Sequence, residues 1–353
     1  MNSPPYTLGL LLYELYAKAG FYHISPFMNP IELILNPQTG LLRSGWRAAI
    51  FLAILSSPYL IYGLLPSAAE KPGAANVAAG PAMIATYGVL VLWAAAVSWI
   101  CLRFLERMKF RALGFALSEG WFNDVLKGCA IGALMIGLAV ALQAAGGARL
   151  NFNPILRAEP GINWTGVRVV ATEMAATIAL LILAAAFEEL IFRGYAFQTL
   201  LRGAPAIVPI LLFSIYFGWA HWHNPNRTLL STANTTLAGI WLSIAYLKTR
   251  NLWFPTALHF MWNWTMGVFF GIPISGLRIE NPLFITSNDG PVWLTGGNYG
   301  SEGGIAATVP LIIATIVIWR ARWLRVSPEM IAALSERSPD GEPAINLGLR
   351  SED

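Results

Sequence analysis

"VVATEMAATIALLILAAAFEELIFRGYAF", residues 169–197, begins as an apolar run and ends in two adjacent glutamates and an arginine. About 20 apolar residues suffice for one helical crossing of a bilayer. On insertion scales each charge at mid-bilayer costs about 2.5–3.5 kcal/mol, so Glu188, Glu189 and Arg193 need a physical reason to be there. Helical spacing supplies half of it. Glu189 and Arg193 are four residues apart, so they share a face in the favourable order for an ion pair. Glu188 points about 100° away round the helix. The cluster therefore reads as two devices, a local brace and a carboxylate free to face another helix.

The rest of the chain agrees with a membrane setting. Of its 353 residues, 56% are hydrophobic and 12% charged, against about 25% charged in a soluble domain. Apolar runs fall at about 46–66, 82–102, 128–147, 166–201, 205–222, 228–248, 252–272 and 304–322. The expected fold is all-α: a polytopic transmembrane bundle of about eight spanning helices plus amphipathic or interfacial ones. The fourth run is too long for a simple span and is expected to tilt or project. Residues 1–45 read as an N-terminal interfacial segment with a helix at 7–18. Residues 46–325 read as the transmembrane domain, with a core at 166–272, and 326–353 as a polar cytoplasmic tail. The loop at 103–127 is expected to hold an amphipathic helix. The Gly- and Pro-rich segment 273–304 carries enough apolar residues to form an ordered cap.

Lys and Arg set the orientation. With the N-terminus inside, the inner segments carry Arg43, Arg47, Arg103, Arg107, Lys109, Arg111, Lys127, Arg202, Lys248, Arg250, Arg320, Arg322 and Arg325. The outer segments carry only Lys71, Arg149, Arg157, Arg168, Arg227 and Arg278. Both termini are thus expected in the cytoplasm. No basic tract is dense enough for nucleic acid, and Cys101 and Cys129 have no metal or disulfide spacing.

Two further polar pairs interrupt apolar helices. One is Phe217-Gly-Trp-Ala-His221, the other His259-Phe-Met-Trp-Asn263. Taken singly, each is readily a structural contact, an interfacial histidine or a hydrogen-bonded pair between helices; His223, beside an Asn-Pro turn, is read that way. Together they suggest more. Arg202-Gly-Ala-Pro205 is a stop-and-turn signal that folds the fourth and fifth helices into a hairpin. Straight-rod counting then puts Glu188 and His221 both about 24–26 Å from the turn, at one depth. His259 lies only about 14 Å along its helix from Arg250, not fully level. A carboxylate beside a histidine can activate water, and a His/Asn pair can donate to an oxyanion. The chemistry indicated is hydrolysis of a carbonyl compound without a covalent intermediate. No serine or cysteine has a nucleophile context, and a His-Glu-x-x-His helix is absent.

The three motifs, Glu188-Glu189-x-x-x-Arg193, Phe217-x-x-x-His221 and His259-x-x-x-Asn263, resemble those of the CAAX-protease and bacteriocin-processing (CPBP, or Abi) family of intramembrane endopeptidases. They match in order on separate helices, across about 185–265. The Gly-rich stretch LTGGNYGSEGG, 294–304, also looks like bacterial members. The resemblance implies cleavage of a membrane-embedded or lipid-anchored polypeptide in a prokaryotic plasma membrane. It implies that Glu188 and His221 activate water, that His259 and Asn263 hold the oxyanion, and that Glu189, Arg193 and Phe217 support them. The favoured mechanism needs no cofactor; a metallopeptidase would use Glu188, His221 and His259 as zinc ligands. The rival reading is a non-catalytic scaffold, immunity factor or carrier whose polar cluster is structural.

Overall fold

The computed structural model describes residues 30–37, 40–63, 76–77, 79–158, 161–287 and 289–335. The expected helix at 7–18, Lys71 and the tail from 336 lie outside them. Twelve helices are named here: α1 Pro30–Ile34, α2 Ser44–Gly63, α3 Pro81–Leu105, α4 Trp121–Ala145, α5 Trp164–Phe192, α6 Tyr195–Gly203, α7 Ile207–Ala220, α8 Leu229–Thr249, α9 Trp253–Trp264, α10 Val292–Thr295, α11 Ile305–Arg320 and α12 Pro328–Ser335. Every apolar run of the sequence becomes helix, so the all-α class holds. The expected count of eight spans is not confirmed. Among the described residues, α3, α4 and the α5–α6 stretch are long and apolar enough to cross a membrane, while α7 and α11 are apolar but shorter. The difference has a physical source. Helices α8 and α9 are largely enclosed by the others, with Ser231, Asn234, Ser243 and His259 buried, and an enclosed helix need not be apolar all round.

Start and stop signals are explicit. Pro81 opens α3 behind Gly80, as expected for a residue with no N–H to lose at that position. Asn163 caps α5 by accepting from Gly166 N. Thr228 and Ser231 form a reciprocal capping box on α8. The turn at 204–206 separates α6 from α7, where the Gly-Ala-Pro signal put it.

The long fourth run is not one continuous rod. It breaks after Phe192. Arg193 caps α5, and at Gly194 a Cβ would strike the Leu190 carbonyl. The break frees the Arg193 carbonyl, which accepts from Gln198 Nε2 at 3.0 Å; the same amide donates to Leu113 O at 2.9 Å. Buried backbone oxygens are thereby satisfied at the interruption.

The segment 103–127 also departs from expectation. It holds no amphipathic helix: α3 continues to Leu105, a short 3₁₀ turn follows at Phe110–Leu113, and α4 starts at Trp121. Met108, Ala112 and Leu113 are buried. Packing into the core, not lying on the membrane surface, is what their apolar character serves. The α8–α9 turn packs onto this loop. Leu252 N donates to Gly114 O at 2.9 Å, Asn251 Nδ2 donates to Asp124 Oδ2 at 2.7 Å, and Asn251 and Leu252 are buried. The turn is therefore inside the protein, and α9 starts deep.

Helix α9 is seated on α4 through two glycines. A Cβ on Gly128 would lie 2.7 Å from Phe254 O, and one on Gly132 would lie 2.7 Å from Leu258 O. A small-xxx-small stripe lets two helices approach closely in a membrane. The 273–304 segment is an ordered cap. Its strand β3, Arg278–Ile279, pairs in parallel with β1, Asn76–Val77. Its β4, Phe284–Thr286, pairs antiparallel with β2, Leu150–Phe152. Gln143 of α4 donates to Ser301 Oγ at 2.7 Å, and Asn234 of α8 to Glu302 O at 2.9 Å and Gly304 O at 3.0 Å.

Two arginines counted above as orientation signals, buried Arg47 and part-buried Arg202, enter a second charged knot. Arg47 lies 3.7 Å from Glu106, and Arg202 and Thr199 both donate to the same carboxylate. This joins α2, the end of α3 and α6.

Gly132→Ala forces α4 and α9 apart and should destabilise the folded protein by about 1–3 kcal/mol, the usual cost of overpacking. Thermal unfolding of the detergent-purified variant measures it.

Candidate active site

The break at Gly194 places Glu188, Glu189 and Arg193 in the last turns of α5, deep in the bundle. Arg193 and Glu189 are fully buried and form the i,i+4 pair, with Nη1 donating to Glu189 Oε1 at 3.1 Å. Arg193 Nη2 donates to the Gly239 carbonyl of α8 at 2.9 Å. At the same glycine α8 packs closely on α7, where a Cβ would lie 2.7 Å from Ser214 Cα. The guanidinium also sits over the Phe217 ring, 4.9 Å from its centroid, a cation–π arrangement.

Glu189 does more than brace Arg193. Its Oε1 also lies 2.9 Å from His259 Nδ1. An ionised carboxylate only accepts, so Nδ1 donates and carries the hydrogen. The other ring nitrogen, Nε2, is 3.7 Å from Glu188 Oε2. His259 thus stands between the two glutamates, one behind it and one before it. Rod counting leaves His259 short of the Glu188 level, yet the fold brings its Nε2 to 3.7 Å from Glu188 Oε2.

His221 caps α7. Its Nδ1 lies 2.8 Å from Phe217 O. A carbonyl only accepts, so Nδ1 donates there and Nε2 remains the ring's acceptor. The ring is 4.7 Å from the Phe217 centroid, and the His259 ring is 6.0 Å from it on an edge-on approach. Phe217 therefore packs against Arg193 and both imidazoles.

Glu188, Phe217, His221, His259 and Asn263 line one cavity of about 620 Å³. Its volume lies within the usual range of ligand sites, about 300–1,000 Å³. The Glu188 side chain is 27% exposed, whereas His259 is 9% exposed. Glu188 Oε2 makes no hydrogen bond to the protein. The sequence-derived set is therefore gathered at one place, with Glu189 and Arg193 buried behind it. Glu188 comes within ion-pair distance of His259, where the hairpin argument anticipates His221. Among the described residues no group of three or more His, Cys, Asp or Glu side chains is arranged to hold a metal ion, the Glu188, His221 and His259 trio included.

One cavity residue escapes the sequence reading. Glu302, from the cap, accepts from Trp262 Nε1 at 3.1 Å, from Ser275 N at 2.9 Å and from Ser275 Oγ at 2.6 Å. It lines the cavity together with Asn224 and Ser275. Its only signal in the sequence is that it is the sole acid in the Gly-rich stretch 294–304.

The bundle and its enclosed Glu/His cavity define an integral membrane protein with an acid–imidazole site. Residues 170–265 match the family model described as type II CAAX prenyl endopeptidase, Rce1-like. The matched segment contains all three motifs, so the resemblance read from them is shown for the part of the chain that builds the cavity. No curated protein and no solved structure matches the chain.

Removing Arg193 alone leaves Glu189 buried beside a single imidazole. Arg193→Met should cost about 3–5 kcal/mol, as breaking a buried pair does. Adding Glu189→Gln should recover part of the loss, which a double-mutant cycle of thermal unfolding reads directly.

Proposed function

We propose that the protein is an intramembrane endopeptidase that hydrolyses a peptide bond of a membrane-associated or lipid-anchored polypeptide with activated water. The observation that carries this reading is the row Arg193, Glu189, His259, Glu188, which ends in a cavity carboxylate. Glu188 takes a proton from water, assisted by His221, whose Nε2 is an acceptor. Asn263, and His259 when doubly protonated with a carboxylate on each side of its ring, donate to the oxygen of the tetrahedral intermediate. Glu189 orients His259, and Arg193 holds Glu189. The general-base step is worth about a hundred- to ten-thousandfold in rate. The printed family description, prenyl endopeptidase, supports a peptide substrate carried by a lipid anchor. The excess of Lys and Arg on one side supports cytoplasmic termini even without Arg47 and Arg202, which are engaged with Glu106.

Glu188→Gln should abolish cleavage of substrates in membrane proteomes while leaving the unfolding temperature unchanged. Full activity in that variant would sink the assignment. Asn263→Ala should lower kcat by about 10²–10³ with little change in KM, as loss of one oxyanion donor does; a pure KM effect would assign Asn263 to binding instead.

A further inference from the structure

A groove of about 710 Å³ lies outside the Glu/His cavity and shares no residue with it. Its floor is α8, whose Ile244 and Leu247 are buried there, and its walls are the start of α7 and the end of α11. The tight contacts among these helices lie elsewhere. Gly239 of α8 packs on Ser214 of α7, and Thr308 Oγ1 of α11 donates to Asn234 Oδ1 of α8 at 2.7 Å. Both fall in the first half of α8, whereas the groove runs along residues 240–247 in its second half.

The body of the groove offers an occupant no hydrogen bond from a side chain. Its one hydroxyl, Thr315 Oγ1, donates to Leu311 O at 2.7 Å, and its rim is built from exposed Ile207, Leu211 and Ile316. What fits there is hydrocarbon. One end is different. Arg320, the last residue of α11, lines the groove and is exposed. Lys248, in the last turn of α8, donates to the neighbouring Trp319 O at 3.3 Å. Two cations therefore stand together where the apolar slot ends. No acid lines the groove, and among the described residues no carboxylate pairs with either cation. Trp319 is exposed on the same rim, and tryptophan beside basic side chains at helix ends marks the headgroup level of a bilayer. A soluble phosphate would leave the slot empty, and a zwitterionic lipid would bring a third cation to the two already there. A basic pocket between spanning helices suits an acidic lipid headgroup.

We propose that the groove between α7, α8 and α11 binds one anionic phospholipid, with an acyl chain along Ile244 and Leu247 and the phosphate on Arg320 and Lys248. The site stands independently of the endopeptidase reading. A lipid seated between α7 and α11 binds the folded protein and not the unfolded chain, so it also stabilises the fold.

The test titrates the delipidated full chain, in a neutral detergent, with phosphatidylglycerol, phosphatidylcholine and glycerol phosphate, and reads bound lipid by native mass spectrometry. The expected result is one phosphatidylglycerol held in preference to phosphatidylcholine, with glycerol phosphate far weaker. Arg320→Gln and Lys248→Gln should each cost roughly fivefold in affinity for phosphatidylglycerol and little for phosphatidylcholine. Ile316→Trp, which fills the slot from an exposed position, should remove the bound lipid while leaving the unfolding temperature of the lipid-free protein unchanged. Phosphatidylglycerol should raise that temperature in the wild type and not in the Ile316→Trp protein. Equal affinity for the two lipids, or a preference that persists in a folded protein carrying both Gln substitutions, overturns the proposal. Glycerol phosphate binding as tightly as the lipid makes this a soluble-anion site and overturns it as well. A lipid-free dimer that Ile316→Trp breaks apart assigns the groove to a second copy of the chain instead.

Discussion

One carboxylate oxygen, Oε1 of Glu189, is shared by Arg193 and His259, and the bundle is organised around that sharing. A guanidinium enclosed among apolar helices is tolerable only when its charge and its donors are met. Glu189 meets the charge from the same helix, and the Gly239 carbonyl meets a second donor from α8. His259 brings in α9. Three helices are thereby fixed to one buried point, and close approaches at Gly128 and Gly132 seat α9 on α4 while one at Gly239 seats α8 on α7.

That point is buried, but the groups in front of it are not. Helix ends placed inside the protein create the difference. Helix α5 stops at Phe192, α7 stops at Ala220, and α9 starts from a buried turn. Irregular backbone at membrane depth is tolerated where it is enclosed by protein or lines a cavity. Here it does both. The Gly194 break is closed by Gln198, whereas the end of α7 opens onto the cavity through His221. A bundle of uninterrupted rods would leave no such space.

Much of this was legible in the residues. The apolar runs located the helices to within a few positions, and the i,i+4 spacing gave the Glu189–Arg193 pair, with Glu188 on a separate bearing. The motif set converged on one cavity. What pattern could not supply was depth and interruption. A Gly after an Arg in a long apolar run marks a break only if something captures the freed carbonyl, and the Gln198 amide that does so is held in place by Leu113, far away in sequence. The inward start of α9 depends on contacts with Gly114 and Asp124 that no local signal announces. The number of spans is not confirmed for a related reason: an enclosed helix and a lipid-facing helix can have the same length and differ in what surrounds them. Glu302 stayed hidden because its partners come from α9 and the cap, and its flanking glycines read only as loop.

The cap of α7 has a consequence for how this site loses function. His221 Nδ1 occupies the Phe217 carbonyl, an oxygen in the last turn that the helix itself leaves without a partner. One bond therefore closes a helix and selects a tautomer. Any ligand or solvent change that draws the hydrogen off Nδ1 also releases the final turn of α7. The proton inventory of the imidazole and the length of the helix are the same variable, so the wall of the cavity is only as rigid as the chemistry within it is poised.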